Sequence, residues 1–230
     1  MTEAAMRMLV GEADLFRDLD PIVRDAITQA ATRCVIPRAA SLFAQGDEAT
    51  NLFLVLEGRL KVGLVSADGA PLTVRFMEPG DLVGCAAVFR RVPYPATATA
   101  VVDTVVMSWT VRQIEAMIQS HPQMAVNALA IMGGRAEEFL QRFREVATER
   151  VEQRIARTLL RLRRGSSADD EGQGFTLRMS RQDLAELSGV TLYTVSRTLS
   201  AWRREGIVEG GRGRITVSDS RKLIEVAHTS

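Results

Sequence analysis

Cysteine is scarce in this 230-residue chain: Cys34 and Cys85 are its two, too few for a disulfide framework, and neither stands in a C-x-x-C pair that would announce structural zinc. Histidine is as scarce, with His121 and His228 alone, which leaves few general bases. No Ser–His–Asp or Cys–His arrangement and no phosphate-loop glycine pattern is present, so the chain does not read as an enzyme. No apolar run approaches the length of a membrane span, and Met1 to Gly11 lacks a signal-peptide layout; a soluble cytoplasmic protein is expected. Lysine is nearly absent too, at 2 residues against 27 arginines, a choice that favours bidentate contacts with phosphate or guanine.

What is present is enough for real cores: 46% of the residues are hydrophobic, and the length suits one or two domains. The net charge of +1 hides an asymmetry. From Arg150 onward there are 15 basic and 10 acidic residues, and before it 14 and 18, so the C-terminal part is near +5 and the N-terminal part near −4. An excess of arginine at one end suits contact with phosphates.

The chain changes period along its length. After a helical start from Leu15 to Ala31, strand patterns take over. Leu52, Leu54, Leu56, Leu60, Val62 and Leu64 are predicted on one face of a strand, or bent strand pair, broken at Gly58, with Glu57, Arg59 and Lys61 on the other. Asp68-Gly69 reads as a hairpin turn, Leu72 to Met77 as a strand, and Glu78-Pro-Gly-Asp81 as a second turn. Thr97 to Val102 and Val105 to Trp109 complete a set of short strands expected to form a small jelly-roll barrel. Then Ala125, Leu129, Met132, Ala136, Phe139, Phe143 and Val146 recur at spacings of 4, 3, 4, 3, 4 and 3, a coiled-coil seam. No neighbouring helix offers a matching seam, so a parallel homodimer through Leu129, Met132, Ala136, Phe139, Phe143 and Val146 is predicted; packing on the chain's own barrel is the alternative. Gly133-Gly134 would allow close approach of the helices, and Arg150 at the next seam position predicts an end or a hinge. A helix from Val151 to Arg164 follows, then a polar loop over Gly165 to Gly174 whose Asp169-Asp170-Glu171 lacks the alternation of a calcium loop.

The stretch from Ser180 to Trp202 is the most informative. Ser180 is a natural N-cap with Asp183 three residues on, and Leu184, Ala185 and Leu187 give a first helix its buried face. Gly189 supplies a sharp turn, and Thr191 caps a second helix that carries Val195, Leu199 and Trp202 inward. Leu192, Tyr193, Thr194, Ser196 and Arg197 are left near the start of that helix, where a helix-turn-helix places its base-reading side chains. Ser180, Arg181 and Thr191 stand beside them. Gly206 to Val217 reads as a hairpin whose tip carries Arg212 and Arg214 towards a phosphate backbone.

A barrel, a long helix and a winged helix-turn-helix in this order resemble the Crp–Fnr family of bacterial transcription regulators. The resemblance covers nearly the whole chain and rests on Gly46-Asp47, Leu56-x-Gly58-x-Leu60, Pro79-Gly80-Asp81, Arg154-Ile-Ala-x-Thr-Leu-Leu160 and Thr194-Val195-Ser196-Arg197. It implies an α+β fold: an N-terminal cyclic-nucleotide-binding-like β jelly-roll barrel acting as sensor (1–119), a long dimerisation helix (120–149) and a C-terminal winged helix-turn-helix (150–230). It also implies a homodimer on double-stranded DNA with a palindromic operator, RNA polymerase as partner if the protein activates, and Arg197 on a guanine edge. The family usually carries glutamate where Tyr193 stands, so a different operator is expected.

The resemblance departs further in the sensor. Cyclic-AMP-binding members hold the ribose with glutamate and the phosphate with arginine; an ungapped alignment puts Cys85 and Pro95 there, with Ala96 in place of the hydroxyl. Phe139 and Leu140 fall where relatives bind adenine. An effector other than cyclic AMP is implied, in a pocket drawn from Gly84, Cys85, Ala96, Thr97, Phe139 and Leu140. The oxygen-sensing iron–sulfur branch needs an N-terminal cysteine cluster that is absent. Val92-Pro-Tyr-Pro-Ala-Thr-Ala-Thr-Ala100 is similar to a segment of nitric-oxide-responsive regulators, some of which bind haem. Haem gas sensing with Cys34, Cys85, His121, His228 or a methionine as ligand, redox chemistry at Cys85, and a regulatory module acting through protein contacts therefore stay open beside an unidentified effector.

Overall fold

Asp20 and Pro21 decide where the first predicted helix begins. The Asp20 carboxylate accepts a hydrogen bond from the Ile22 amide at 2.8 Å, and proline suits the first turn, where no amide donor is needed. The expected single helix from Leu15 to Ala31 is thus corrected. The chain is helical already over α1 (Glu3–Glu12), passes through a 3-10 turn (Asp14–Phe16), and restarts as α2 (Pro21–Ala30). The computed structural model describes residues 2–65, 71–163, 174–211 and 213–228.

Strands β1 (Thr32–Ile36), β2 (Ser41–Phe43), β3 (Asn51–Glu57), β4 (Leu60–Val65), β5 (Pro71–Met77) and β6 (Leu82–Val83) follow. A short helix α3 (Cys85–Arg90) precedes β7 (Thr97–Ala100) and β8 (Thr104–Thr110), and helices α4 (Val111–Ser120) and α5 (Gln123–Thr148) come next. The strands form two antiparallel four-stranded sheets, ordered β1-β8-β3-β6 and β2-β7-β4-β5. Phe53, Val55 and Val106 from the first sheet meet Leu60, Ala98 and Ala100 from the second in one buried cluster, so the sheets face each other as a jelly roll. β4 and β5 pair from Leu60↔Met77 to Val65↔Pro71, while the Asp68-Gly69 turn between them lies outside the described residues.

The largest correction concerns β3, which was expected to bury one face. It buries both. Leu52, Leu54 and Leu56 enter a second core with Phe16, Ile27, Trp109 and Met124 from the helical elements and β8, whereas Phe53 and Val55 fill the barrel. Leu60 then lies with Phe53 and Val55, not with the leucines of β3, because Gly58 takes φ +88 and changes the parity of the chain. Fully buried Trp109 ties the two layers: its indole N–H donates to the Ile27 carbonyl at 2.8 Å, and its ring tilts on Phe16 with centroids 5.2 Å apart.

The chain divides into two compact units, residues 1–138 and 139–230, the boundary falling inside α5. In the second unit α6 (Val151–Arg163) packs on α7 (Arg181–Ser188) and α9 (Ser220–His228). Between these lie β9 (Phe175–Leu177), α8 (Leu192–Arg204), β10 (Val208–Gly211) and β11 (Arg214–Val217), the strands ordered β10-β11-β9. The predicted hairpin is β10–β11, and β9 joins it as a third strand that the sequence reading missed. The polar loop over 165–173 lies outside the described residues. No helix among the described residues is long and apolar enough to cross a membrane.

A side chain at position 58 would meet the Asp103 carbonyl at 2.5 Å in a backbone conformation that disfavours any Cβ. Gly58→Ala should therefore cost about 1–3 kcal/mol or more, read as a lower urea midpoint; an unchanged midpoint would contradict the parity change assigned to this residue.

Candidate functional site

The helix-turn-helix is built from reciprocal caps. The Asp183 amide donates to Ser180 Oγ at 3.1 Å, and the Ser180 amide donates back to Asp183 Oδ2 at 2.9 Å. Gly189 closes α7 at φ 64°, and the Val190 amide reaches back to the Ala185 carbonyl at 3.0 Å. Two residues later Thr191 Oγ1 accepts from the Thr194 amide at 3.2 Å and starts α8. Leu184 and Ala185 are buried, as are Val195, Leu199 and Trp202, while Leu187 is half-buried. That burial leaves Thr191, Leu192, Arg197 and Tyr193 exposed, the last at 75%, with Thr194 and Ser196 half-buried among them. Apart from Thr191, which caps α8, the predicted reading residues all lie in the first two turns of α8.

Arg181, at the start of α7, is exposed, and so is Arg214 on β11. Arg212 lies outside the described residues. Arg181 and Arg214 line a cleft of about 500 Å³ with Arg203, a residue the sequence reading missed. Its position at the end of α8, an exposed cation one residue past buried Trp202, was the available signal. Among the described residues none of the three arginines has a carboxylate partner within salt-bridge distance. Three uncompensated guanidinium groups around one cleft make a seat for an anion.

On α5 the heptad positions stay open to solvent in the single chain. Leu129, Phe139 and Phe143 are 74%, 68% and 65% exposed, Ala136 is exposed and Met132 half-buried; the side chain of Val146 lies outside the described residues. Such large apolar groups on one stripe of one helix form a face that water penalises. α5 stops at Thr148, and the Arg150 amide donates to Gln153 Oε1 at 2.7 Å as α6 begins, so the break falls where Arg150 interrupts the seam. Across the break Glu145 pairs with Arg161 at 3.1 Å and Glu149 with Arg157 at 2.8 Å. Burial holds the Glu149 carboxyl above the usual carboxylate range, although Arg157 pulls it down.

The sensor residues are distributed differently from the expectation. Gly84, at φ 92°, caps α3, and a Cβ there would meet the Asn51 carbonyl and the Tyr94 ring at 3.2 Å. Cys85 is 0% exposed among Leu54, Leu82 and Trp109, and burial pushes its thiol up to about 11, with Arg135 and Arg75 opposing. A thiol sealed in the core lacks the exposure of a reactive cysteine. His228 Nδ1 lies 2.8 Å from the Ile224 carbonyl and His121 closes α4, so both histidines have local roles. Among the described residues no group of three or more His, Cys, Asp and Glu side chains could hold a metal ion. Ala96 is buried and Thr97 Oγ1 accepts from the Gln45 amide at 3.0 Å, while Phe139 and Leu140 belong to the second unit. Within the Val92–Ala100 segment, Tyr94 stacks on Phe43 at 3.8 Å and donates to the Asn51 carbonyl at 2.6 Å, which makes it a brace of the barrel. The first unit holds a cavity of about 410 Å³ lined by Arg75, Leu82, Ile131, Gly134, Arg135 and Glu138, among others, and a second of about 670 Å³ lined by Asn51, Val88, Arg91 and Glu115, among others; sequence reading missed both.

Two family models match the chain: a cyclic nucleotide-binding domain over residues 33–121 and a Crp-like helix-turn-helix domain over 153–226. The cyclic AMP receptor protein of Thermus thermophilus is 30% identical over 213 residues, which is 93% of this chain and 96% of that relative. Among solved structures, a transcriptional regulator of the CRP family from Thermus thermophilus superposes with a TM-score of 0.70 at 28% identity, over 86% of this chain and 97% of its own. FixK2 from Bradyrhizobium japonicum gives 0.77 at 23% identity, over 87% and 98%, and supports the fold.

The state of the two thiols can be checked directly. At mildly alkaline pH a thiol reagent should modify Cys34, which is half-buried, and leave Cys85 untouched until the chain unfolds. Two thiols reacting at similar rates in the native protein would contradict the burial of Cys85.

Proposed function

The chain belongs to the Crp–Fnr family of transcription regulators, and from that premise we propose that it acts as a homodimer on a palindromic operator in response to an effector other than cyclic AMP. The relatives are transcription regulators, not enzymes. In this reading residues 1–119 sense, 120–149 dimerise and 150–230 bind double-stranded DNA in the cytoplasm, with RNA polymerase the further partner if the protein activates.

One observation carries the proposal: burial of Val195, Leu199 and Trp202 leaves the N-terminal face of α8 to present Leu192, Tyr193, Ser196 and Arg197 together. An α-helix fits the major groove, and a guanidinium fork matches O6 and N7 of guanine. Arg197 reads a guanine; Thr191 and Thr194 border the groove. Ser180, Arg181, Arg212 and Arg214 hold phosphates and fix the register without reading sequence. The exposed heptad stripe on α5 supplies the dimer through Leu129, Met132, Ala136, Phe139, Phe143 and Val146, and two-fold symmetry then spaces the half-sites about one helical turn apart.

Departure from cyclic AMP is supported by Cys85, sealed in the core, and by Pro95, which brings no charge to a phosphate. An effector would act by shifting the population of recognition-helix arrangements through the α5 seam and the break at Arg150.

A mobility-shift titration on genomic fragments tests the proposal. Specific fragments should bind more tightly than random duplex by about a thousandfold or more, and Arg197→Ala should relax preference at one base pair by about 1–3 kcal/mol. Arg214→Ala should weaken all duplexes alike and lower the salt slope by about one. Tyr193→Glu should add a preference for cytosine, whose N4 amino group donates to carboxylate. Equal affinity for specific and random duplex at physiological salt would defeat the proposal.

A further inference from the structure

The side chains at the start of α8 differ in what they are free to recognise. Leu192 is 45% exposed and Tyr193 75%, and Arg197 is exposed about one turn further on. Their neighbours are already engaged. Thr191 Oγ1 and Thr194 Oγ1 lie 2.8 Å apart, and the Thr194 amide donates to Thr191, while Ser196 is half-buried. One cation and two large side chains with apolar bodies are left for a partner. Leu192 has no polar side-chain atom at all, so it can make no hydrogen bond to a base.

Exposed apolar groups are penalised by water until a partner covers them, and the surrounding charge selects that partner. Arg197 follows Tyr193 by four residues, so the two project from the same side of the helix. The cleft of Arg181, Arg203 and Arg214 lies in the same unit, and no carboxylate lines it. Glu209 lines a small adjoining cleft and stands beyond salt-bridge distance of all three arginines. Apolar groups set in a cationic surface suit a duplex, which offers phosphates and base edges together. In the major groove every base edge presents donors or acceptors, and one apolar group stands among them, the C5 methyl of thymine. A leucine can distinguish that group and nothing else.

We infer that Leu192 and Tyr193 read thymine methyl groups beside the guanine that Arg197 holds. Four residues of helix advance about 6 Å, and successive bases lie about 3.4 Å apart, which puts these thymines within about two base pairs of the guanine. The contact works by burial: the leucine side chain and the tyrosine ring cover the C5 methyl, and water leaves both surfaces. Neither group tests the hydrogen-bonding pattern of the base. The same seat therefore accepts 5-methylcytosine, whose methyl occupies the same ring position, and makes the protein sensitive to cytosine methylation there. Each methyl should be worth about fourfold in affinity. This inference rests on the regulator reading above, since it takes α8 to lie in the major groove.

The test uses the full-length protein and a duplex selected by it from a random pool. Each thymine of that duplex is replaced in turn by uracil, which keeps the pairing pattern and lacks the methyl. Affinity should fall about fourfold at the thymines beside the guanine and stay level elsewhere. Cytosine placed at the same positions should bind better by a similar factor once methylated at C5. Leu192→Ala and Tyr193→Ala should each remove the uracil penalty at the position that side chain covers and leave the guanine preference intact; both positions are exposed, so the fold is kept. Tyr193→Phe should retain the penalty, because the ring makes the contact. Arg197→Ala should show the reverse pattern, with the guanine preference lost and the uracil penalty kept. Thymine and uracil duplexes bound alike, or penalties that survive in both alanine variants, overturn the inference alone and leave Leu192 and Tyr193 to a protein partner. A pool that stays random overturns it together with the regulator reading.

Discussion

Burial of Val195, Leu199 and Trp202 against the α7 side of the second unit is the constraint on which the functional reading depends. A helix has one apolar stripe to hide, and hiding it determines which side chains remain for a partner. Gly189, in the left-handed region, lets the chain turn between α7 and α8, and the Ser180–Asp183 and Thr191–Thr194 caps start each helix at a defined residue. The specificity proposed for this protein therefore depends on buried leucine, valine and tryptophan as much as on arginine.

The charged side chains have separate tasks. Around the α5–α6 break, Glu145–Arg161 and Glu149–Arg157 join the end of the long helix to the first helix of the winged-helix unit, with both carboxylates largely removed from solvent. Buried pairs of this kind hold a geometry more than they add stability, since desolvation offsets most of their attraction. Among the described residues Arg181, Arg203 and Arg214 instead have no carboxylate partner and line an open cleft, while Arg75 in the barrel unit reaches Glu138 at 3.6 Å. Paired arginines set the frame, and unpaired ones mark where an anion is expected. The near-zero net charge of the chain conceals that division.

Much of the second unit was legible in the sequence because its signals are local: caps, a turn glycine and apolar spacing all fall between Ser180 and Trp202. The order of short strands and the long helix was legible for the same reason. The two-sided burial of β3 was not, since Phe53 and Val55 alternate with leucines in a run that is apolar throughout, and Gly58 resets the parity beyond it. The start of α1 was overlooked, and the placement of Asp20 before Pro21 shows why one helix could not run from Leu15 to Ala31. Arg75 and Arg135 are far apart in sequence and converge only through the fold, so no motif could announce them. Cys85, expected in an effector pocket, is sealed in the core, while Gly84 caps α3 and Thr97 accepts from the Gln45 amide.

The most direct test of the account is selection of bound duplexes from a random pool by the purified full-length protein, with the stoichiometry of the selected complex measured by sedimentation. The account predicts enrichment of a two-fold symmetric sequence whose half-sites lie about one helical turn apart, a guanine in each half-site, and two chains per duplex. A pool that stays random after repeated selection, or an asymmetric site bound by a single chain, would contradict it.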